Sequence, residues 1–156
     1  MLIALFSVLV SLLMTTPLLA EPSSPYFPEI KTTQFGGEEN RFLANITIHS
    51  PAELRQVLQQ AERFFEKNNY HLGSPIRVVL HGPEAEVFIV DNYPQYKSLV
   101  KLAAQLQSLE VVDIYICETW MGDNGYVKDN LHNFVGTVPL GPAEIKRLLN
   151  LGYVYF

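Results

Sequence analysis

The sequence predicts a single α/β domain of three layers, with a mostly parallel five-stranded sheet flanked by helices. Short apolar runs alternate with helical patterns from Arg41 to Phe156, an order that calls for crossover connections and parallel strands. The runs Arg77–Leu80 and Val111–Ile116 are almost continuously apolar, as strands covered on both faces are. At 156 residues, 48% of them hydrophobic, the chain is long enough to build one full-sized core.

Met1–Ala20 carry no charged side chain, break at Thr15-Thr16-Pro17 and end on a small residue. They read as a secretory signal cleaved after Ala20, which predicts a periplasmic or secreted protein with no stable membrane span after cleavage. An uncleaved anchor competes, since about 20 apolar residues can cross a bilayer, but Pro17 and the threonine pair spoil the run. Residues 21–40 carry three prolines and two adjacent glycines without periodicity, an extended lead-in. The domain takes residues 41–156.

Within it, "RFLANITI" predicts the first strand, closed by His49. A helix follows from Pro51, with Ser50 as N-cap, Glu53 completing a capping box, and Leu54, Val57, Leu58, Ala61 and Phe65 on one face. "IRVVLHG" predicts the second strand. "PEAEVFIVDN" suits a short helix or a strand. Pro94 leads a helix with Tyr96, Leu99, Val100, Ala103 and Leu106 on one side. "VVDIYIC" predicts the third strand, "YVKDNLHN" a short helix and "FVGTVPL" the fourth strand. The last helix starts at Pro142 and stops at Gly152 before a final strand, "YVYF".

The formal charge is −5 and the longest basic cluster is Lys146-Arg147, which excludes a nucleic-acid footprint. No serine elbow, paired catalytic carboxylates, Walker loop or dinucleotide fingerprint is present. The enzyme options therefore narrow to thiol chemistry, and no cofactor is implied.

Ligands of open α/β sheets bind beyond the carboxyl ends of the strands, and that rim is where His49, His81 and Cys117 fall. Cys117 is the single cysteine, so it makes no internal disulfide. A helix N-terminus behind it favours thiolate and His81 is placed to take its proton, whereas Glu118 and Asp123 oppose the anion. The same thiol is equally readable as a small hydrophobe capping a buried strand. Cysteine and two histidines suit zinc or copper, but no C-x-x-C or H-x-x-x-H pair supports them, and no metal is assigned. Gly82-Pro83 forms either a plain turn or one whose N–H groups hold an anion. Trp120 and Tyr126 flank the thiol and would wall a pocket or pack at a subunit contact. His71 and His132 lie in polar stretches and are expected to be exposed.

"VVLHGPEAEVF", the strand ending in "IYIC" and the closing "FVGTVPLGPAEIKRLLNLGYVYF" together resemble the DsrE/DsrF-like family of sulfur-relay proteins, in particular its exported stand-alone members. The resemblance covers about residues 41–156. It implies a parallel α/β domain assembled into homo- or hetero-oligomers, often trimers or hexamers, here a homo-oligomer, and, in the sulfur-transferring members, a single cysteine at the end of a central strand that carries sulfur as a persulfide. Cys117 matches that position. Where active members follow the cysteine with small residues and an arginine, this chain has Glu118, Thr119, Trp120 and Met121. The expected function is therefore an exported sulfur carrier or sulfurtransferase accessory, with Cys117 and His81 reacting and a sulfur donor or acceptor protein as partner. The alternative is a non-catalytic oligomeric module that binds a small ligand or metal near His49, Gly82 and Trp120.

Overall fold

The computed structural model describes residues 41–156; the expected signal (1–20) and lead-in (21–40) lie outside the described residues. The elements are β1 (Phe42–Leu43), α1 (Pro51–Lys67), β2 (Ile76–Leu80), α2 (Tyr93–Ser108), β3 (Val112–Cys117), α3 (Glu118–Asp123), β4 (Gly136–Val138), α4 (Gly141–Asn150) and β5 (Val154–Tyr155). The five strands form one sheet in the order β4-β3-β2-β1-β5, and every pairing is parallel. Among the described residues, no helix is long and apolar enough to cross a membrane.

The chain steps outward from β1 to β4, and α4 then carries it back to β5 beside β1. Side chains alternate between the faces of a strand, and this alternation divides the core. Leu43, Val79 and Val138 point to one face, where they bury Leu148 of α4 and meet Ile145, Leu149, Tyr115 and Tyr153. Ile76, Val78 and Leu80 point to the other face and are fully buried. The helices α1 and α2 pack together with a 3-10 turn, Pro83–Phe88. Phe42, Phe64 and Phe156 close the β5 side with edge-to-face ring contacts of 5.3–5.9 Å.

In α1 the expected face is buried at Leu54, Val57, Leu58 and Ala61, with Phe65 half-buried at its end. Ser50 Oγ accepts from Glu53 N–H at 3.2 Å, the first half of the capping box. The second half is redirected. The Glu53 carboxylate passes over Ser50 and accepts the backbone N–H groups of Thr47, Ile48 and His49 at 2.8–2.9 Å. The first strand is shorter than the expected 41–48: it spans Phe42–Leu43, Ala44 N–H still reaches Arg77 O, and the donors at Thr47 and Ile48 that a longer ladder would use are taken by Glu53. His49 closes a loop instead of a strand, with φ +54°, a left-handed conformation that histidine adopts more readily than most residues.

The ambiguous stretch after β2 is mainly helical, as 3-10 turns at Pro83–Phe88 and Val90–Asn92, with an extended Ile89 between them that forms an antiparallel bridge to Leu131. Its first turn buries Glu84, Ala85, Val87 and Phe88. The short helix expected near Tyr126 is a single 3-10 turn at Lys128–Asn130.

Leu148 is the 1%-exposed centre of the α4 face. Leu148→Ala should lower unfolding free energy by about 2–5 kcal/mol, read by urea denaturation. A loss well under 1 kcal/mol would mean that α4 does not hold this face.

Candidate functional site

The candidate site is the carboxyl rim of β2 and β3. Leu80 pairs with Ile116, so the register continued by one residue sets His81 beside Cys117. Cys117 ends β3 and is the N-cap of α3. Its side chain is 2% exposed, and its Sγ accepts the Gly141 backbone N–H at 3.2 Å. Gly141 opens the ten-residue α4, and a first-turn N–H has no carbonyl partner inside its own helix. Here it serves the sulfur.

Gly141 is glycine for lack of space. A Cβ there would lie 2.8 Å from His81 Cβ and 3.2 Å from His81 Cδ2. The histidine is thus wedged against the residue whose N–H meets the thiol. Burial pushes the His81 imidazole below the ordinary histidine value of about 6.5; neighbouring His49 pushes the same way, and Glu84 acts against both. At neutral pH His81 is uncharged and able to accept a proton.

The His49 ring sits 4.4 Å from that of His81, centroid to centroid, tilted by 53°. Its Nδ1 lies 3.1 Å from Glu84 Oε1. The same oxygen accepts the N–H groups of His81 at 3.0 Å and Gly82 at 3.1 Å. The turn at Gly82 does hold an anion, and that anion is the chain's own Glu84 carboxylate, which is 0% exposed. Glu84 Oε2 has no hydrogen-bond partner. Gly82 leaves the carboxylate its space, since a Cβ there would come within 2.7 Å of both Glu84 Oε2 and His49 Cβ.

The remaining candidates lie around this centre. Trp120, one turn along α3 from Cys117, stacks on Tyr126 at 5.9 Å. Glu118 is exposed, and its carboxylate accepts from Thr137 Oγ1 at 2.7 Å. Asp123 is exposed at the end of α3. His71 is exposed, but His132 is not: it is half-buried, with its ring 5.6 Å from Tyr93 and 5.8 Å from Phe134. Its Nε2 is buried without a partner, and burial lowers its basicity. Among the described residues, no three His, Cys, Asp or Glu side chains converge to hold a metal ion.

Glu84 and Glu53, which organise the rim, went unread as functional residues in the sequence, as did the donor at Gly141. One sequence signal was available. Glu84 follows the last strand N–H groups by two and three residues, within reach of donors the sheet no longer uses.

A sequence model of the DsrE/DsrF-like family matches residues 42–156. The chain belongs to that family. Among solved structures, this DsrE-like fold is similar to MTH1491 from Methanobacterium thermoautotrophicum, a protein of unknown function. The likeness has a TM-score of 0.61 at 19% identity and covers 75% of this chain and 97% of that one. At that identity it shows the fold alone. No curated protein matches the sequence.

Two predictions follow from the geometry of this DsrE-like rim. Gly82→Ala should cost about 1–3 kcal/mol through overpacking, measured by denaturant unfolding; a neutral change would contradict the close approach. The second concerns acid. Unfolded histidines bind protons near pH 6.5, while folded His81 and His132 bind them only at lower pH. The unfolded state therefore holds more protons in that window, and stability falls as pH drops from about 7 until the lowered folded values are passed. His132→Phe should flatten part of this slope in melts across pH 5–7.5. An unchanged slope would remove His132 as a source.

Proposed function

We propose that this DsrE-like protein accepts sulfur at Cys117 and carries it as a persulfide. The reading rests above all on the Gly141 N–H held 3.2 Å from Cys117 Sγ, at the N-terminus of α4, where the helix favours negative charge. That donor suits a thiolate and then a persulfide anion. His81, uncharged at neutral pH, takes the thiol proton. The thiolate attacks the outer sulfur of a donor persulfide, the donor's S–S bond breaks, and the donor leaves as a thiolate. No net oxidation occurs. Transfer onward reverses the step with an acceptor thiolate.

With Cys117 2% exposed, a sulfur donor needs local movement at this rim to reach it. Pro139 O accepts both N–H and Oγ1 of Thr119, and the exposed Leu140 lies between that fastening and Gly141. The family resemblance supports a homo-oligomer, trimeric or hexameric, with a donor or acceptor protein as partner. The uncharged Met1–Ala20 segment supports export to the periplasm or beyond the cell. The burial of the thiol favours a second reading, a non-catalytic binding module whose cysteine only packs.

Intact-mass spectrometry after exposure to polysulfide, with Cys117→Ser alongside, separates the two. Gain of one sulfur atom by the wild type alone is the expected result. A thiol that stays unmodified, and resists alkylation until the protein unfolds, would replace the carrier with the binding module.

A further inference from the structure

The sulfur-acceptance reading uses Cys117, His81 and Gly141 and leaves unexplained why a carboxylate is buried behind them. Glu84 is 0% exposed, spends one oxygen on three donors and leaves the other with none. The two backbone donors would suffice to shape the turn. The third is a histidine ring, and that ring touches His81.

The geometry points to Glu84 and His49 as a positioning pair that fixes the His49 imidazole as the outer acid–base group of this rim, taking protons from His81 and passing them to solvent. Three observations carry this. First, Glu84 Oε1 already accepts from two N–H groups, so as a carboxylate it meets His49 Nδ1 as an acceptor. Nδ1 therefore bears the hydrogen, and the lone pair of the neutral ring is on Nε2. Second, the ring is held from two sides. Glu84 fixes its Nδ1, and Glu53 from α1 fixes its backbone N–H at 2.9 Å. These two carboxylates, His81 and the nearby Cys117 are the titratable groups around it. Third, the buried Cys117, 2% exposed, lies beside a rim of two half-buried histidines, His81 and His49, the latter with a side chain 27% exposed. A proton leaving the buried thiol thus passes to groups that are open to water. When His49 Nε2 takes the proton, the imidazolium faces the Glu84 carboxylate, whose free oxygen otherwise lacks compensation. The proton then leaves to water.

This role rests on the sulfur-acceptance reading for its substrate, but its own test does not. The rate of Cys117 alkylation by iodoacetamide is measured from pH 5 to 9.5 in wild type, Glu84→Gln and His49→Asn. Asparagine tolerates the left-handed backbone at this position, so the second variant keeps the loop and removes the ring. Both variants should react slower near pH 7, on the order of tenfold, and approach wild type at the alkaline end, where the thiol ionises unaided. Superimposable pH profiles in all three proteins would overturn the assignment. Nitrogen-15 spectra of the histidine side chains supply a readout that needs no thiol reaction. His49 held as the Nδ1–H tautomer in wild type and released in Glu84→Gln supports the pair, and the same tautomer in both overturns it. A wild-type Cys117 inert at every pH would sink sulfur acceptance by itself, leaving the pair to be judged on the spectra.

Discussion

A carboxylate taken out of water costs several kcal/mol unless donors replace its hydration, and Glu84 is wholly out of water. The donors it uses are those the sheet has just released: the N–H groups of His81 and Gly82, immediately beyond the last paired residue of β2. The strand end and the buried charge thereby satisfy each other. Each hydrogen bond to the charged group is worth about 1.5–3 kcal/mol, so the turn is pinned more firmly than a Gly-Pro sequence alone would pin it. From this one constraint the rim follows. Gly82 must lack a side chain, the His49 loop is drawn against β2, and His81 is turned onto Gly141, whose N–H reaches Cys117.

Glu53 repeats the device on the neighbouring loop. Its carboxylate is 5% exposed and collects the N–H groups of Thr47, Ile48 and His49. Two acidic residues thus replace strand ladder at the carboxyl ends of β1 and β2, where an open sheet has unpaired donors. His49 lies where both act, its backbone on Glu53 and its ring on Glu84. A histidine held at both ends in a left-handed conformation is over-determined, the condition under which such backbone geometry persists.

The layers were legible in the sequence because periodicity records burial. The α1 stripe, the proline starts of α2 and α4 and the two apolar strands each follow from side-chain spacing. The convergence of His81 and Cys117 followed from topology, since parallel strands bring their ends to one rim. What spacing could not convey was the destination of backbone donors. "RFLANITI" alternates like a strand, yet its later N–H groups bond to a glutamate in the next helix. Glu84 and Glu86 look alike as acidic residues of a first turn, and only the contacts show that Glu84 is buried. His132 was misplaced for a related reason: polar neighbours in sequence gave no sign of Tyr93 and Phe134 beside it in space.

The Gly141–Cys117 hydrogen bond also limits how the thiol can be reached. The Pro139–Gly141 turn supplies the donor that suits an anionic sulfur and, by the same contact, lies against that sulfur. Lifting this turn would break the bond and leave the sulfur without its N–H donor. An approach from the side of His81 and His49 leaves that N–H in place, and under the sulfur-carrier proposal it is the side on which the thiol proton is handled. Beneath the rim, Val138 of β4 and Leu148 of α4 pack into one core cluster. If Cys117 carries sulfur as proposed, its enclosure makes approach direction the first constraint on a donor, and the direction that preserves the hydrogen bond is the side of the two histidines.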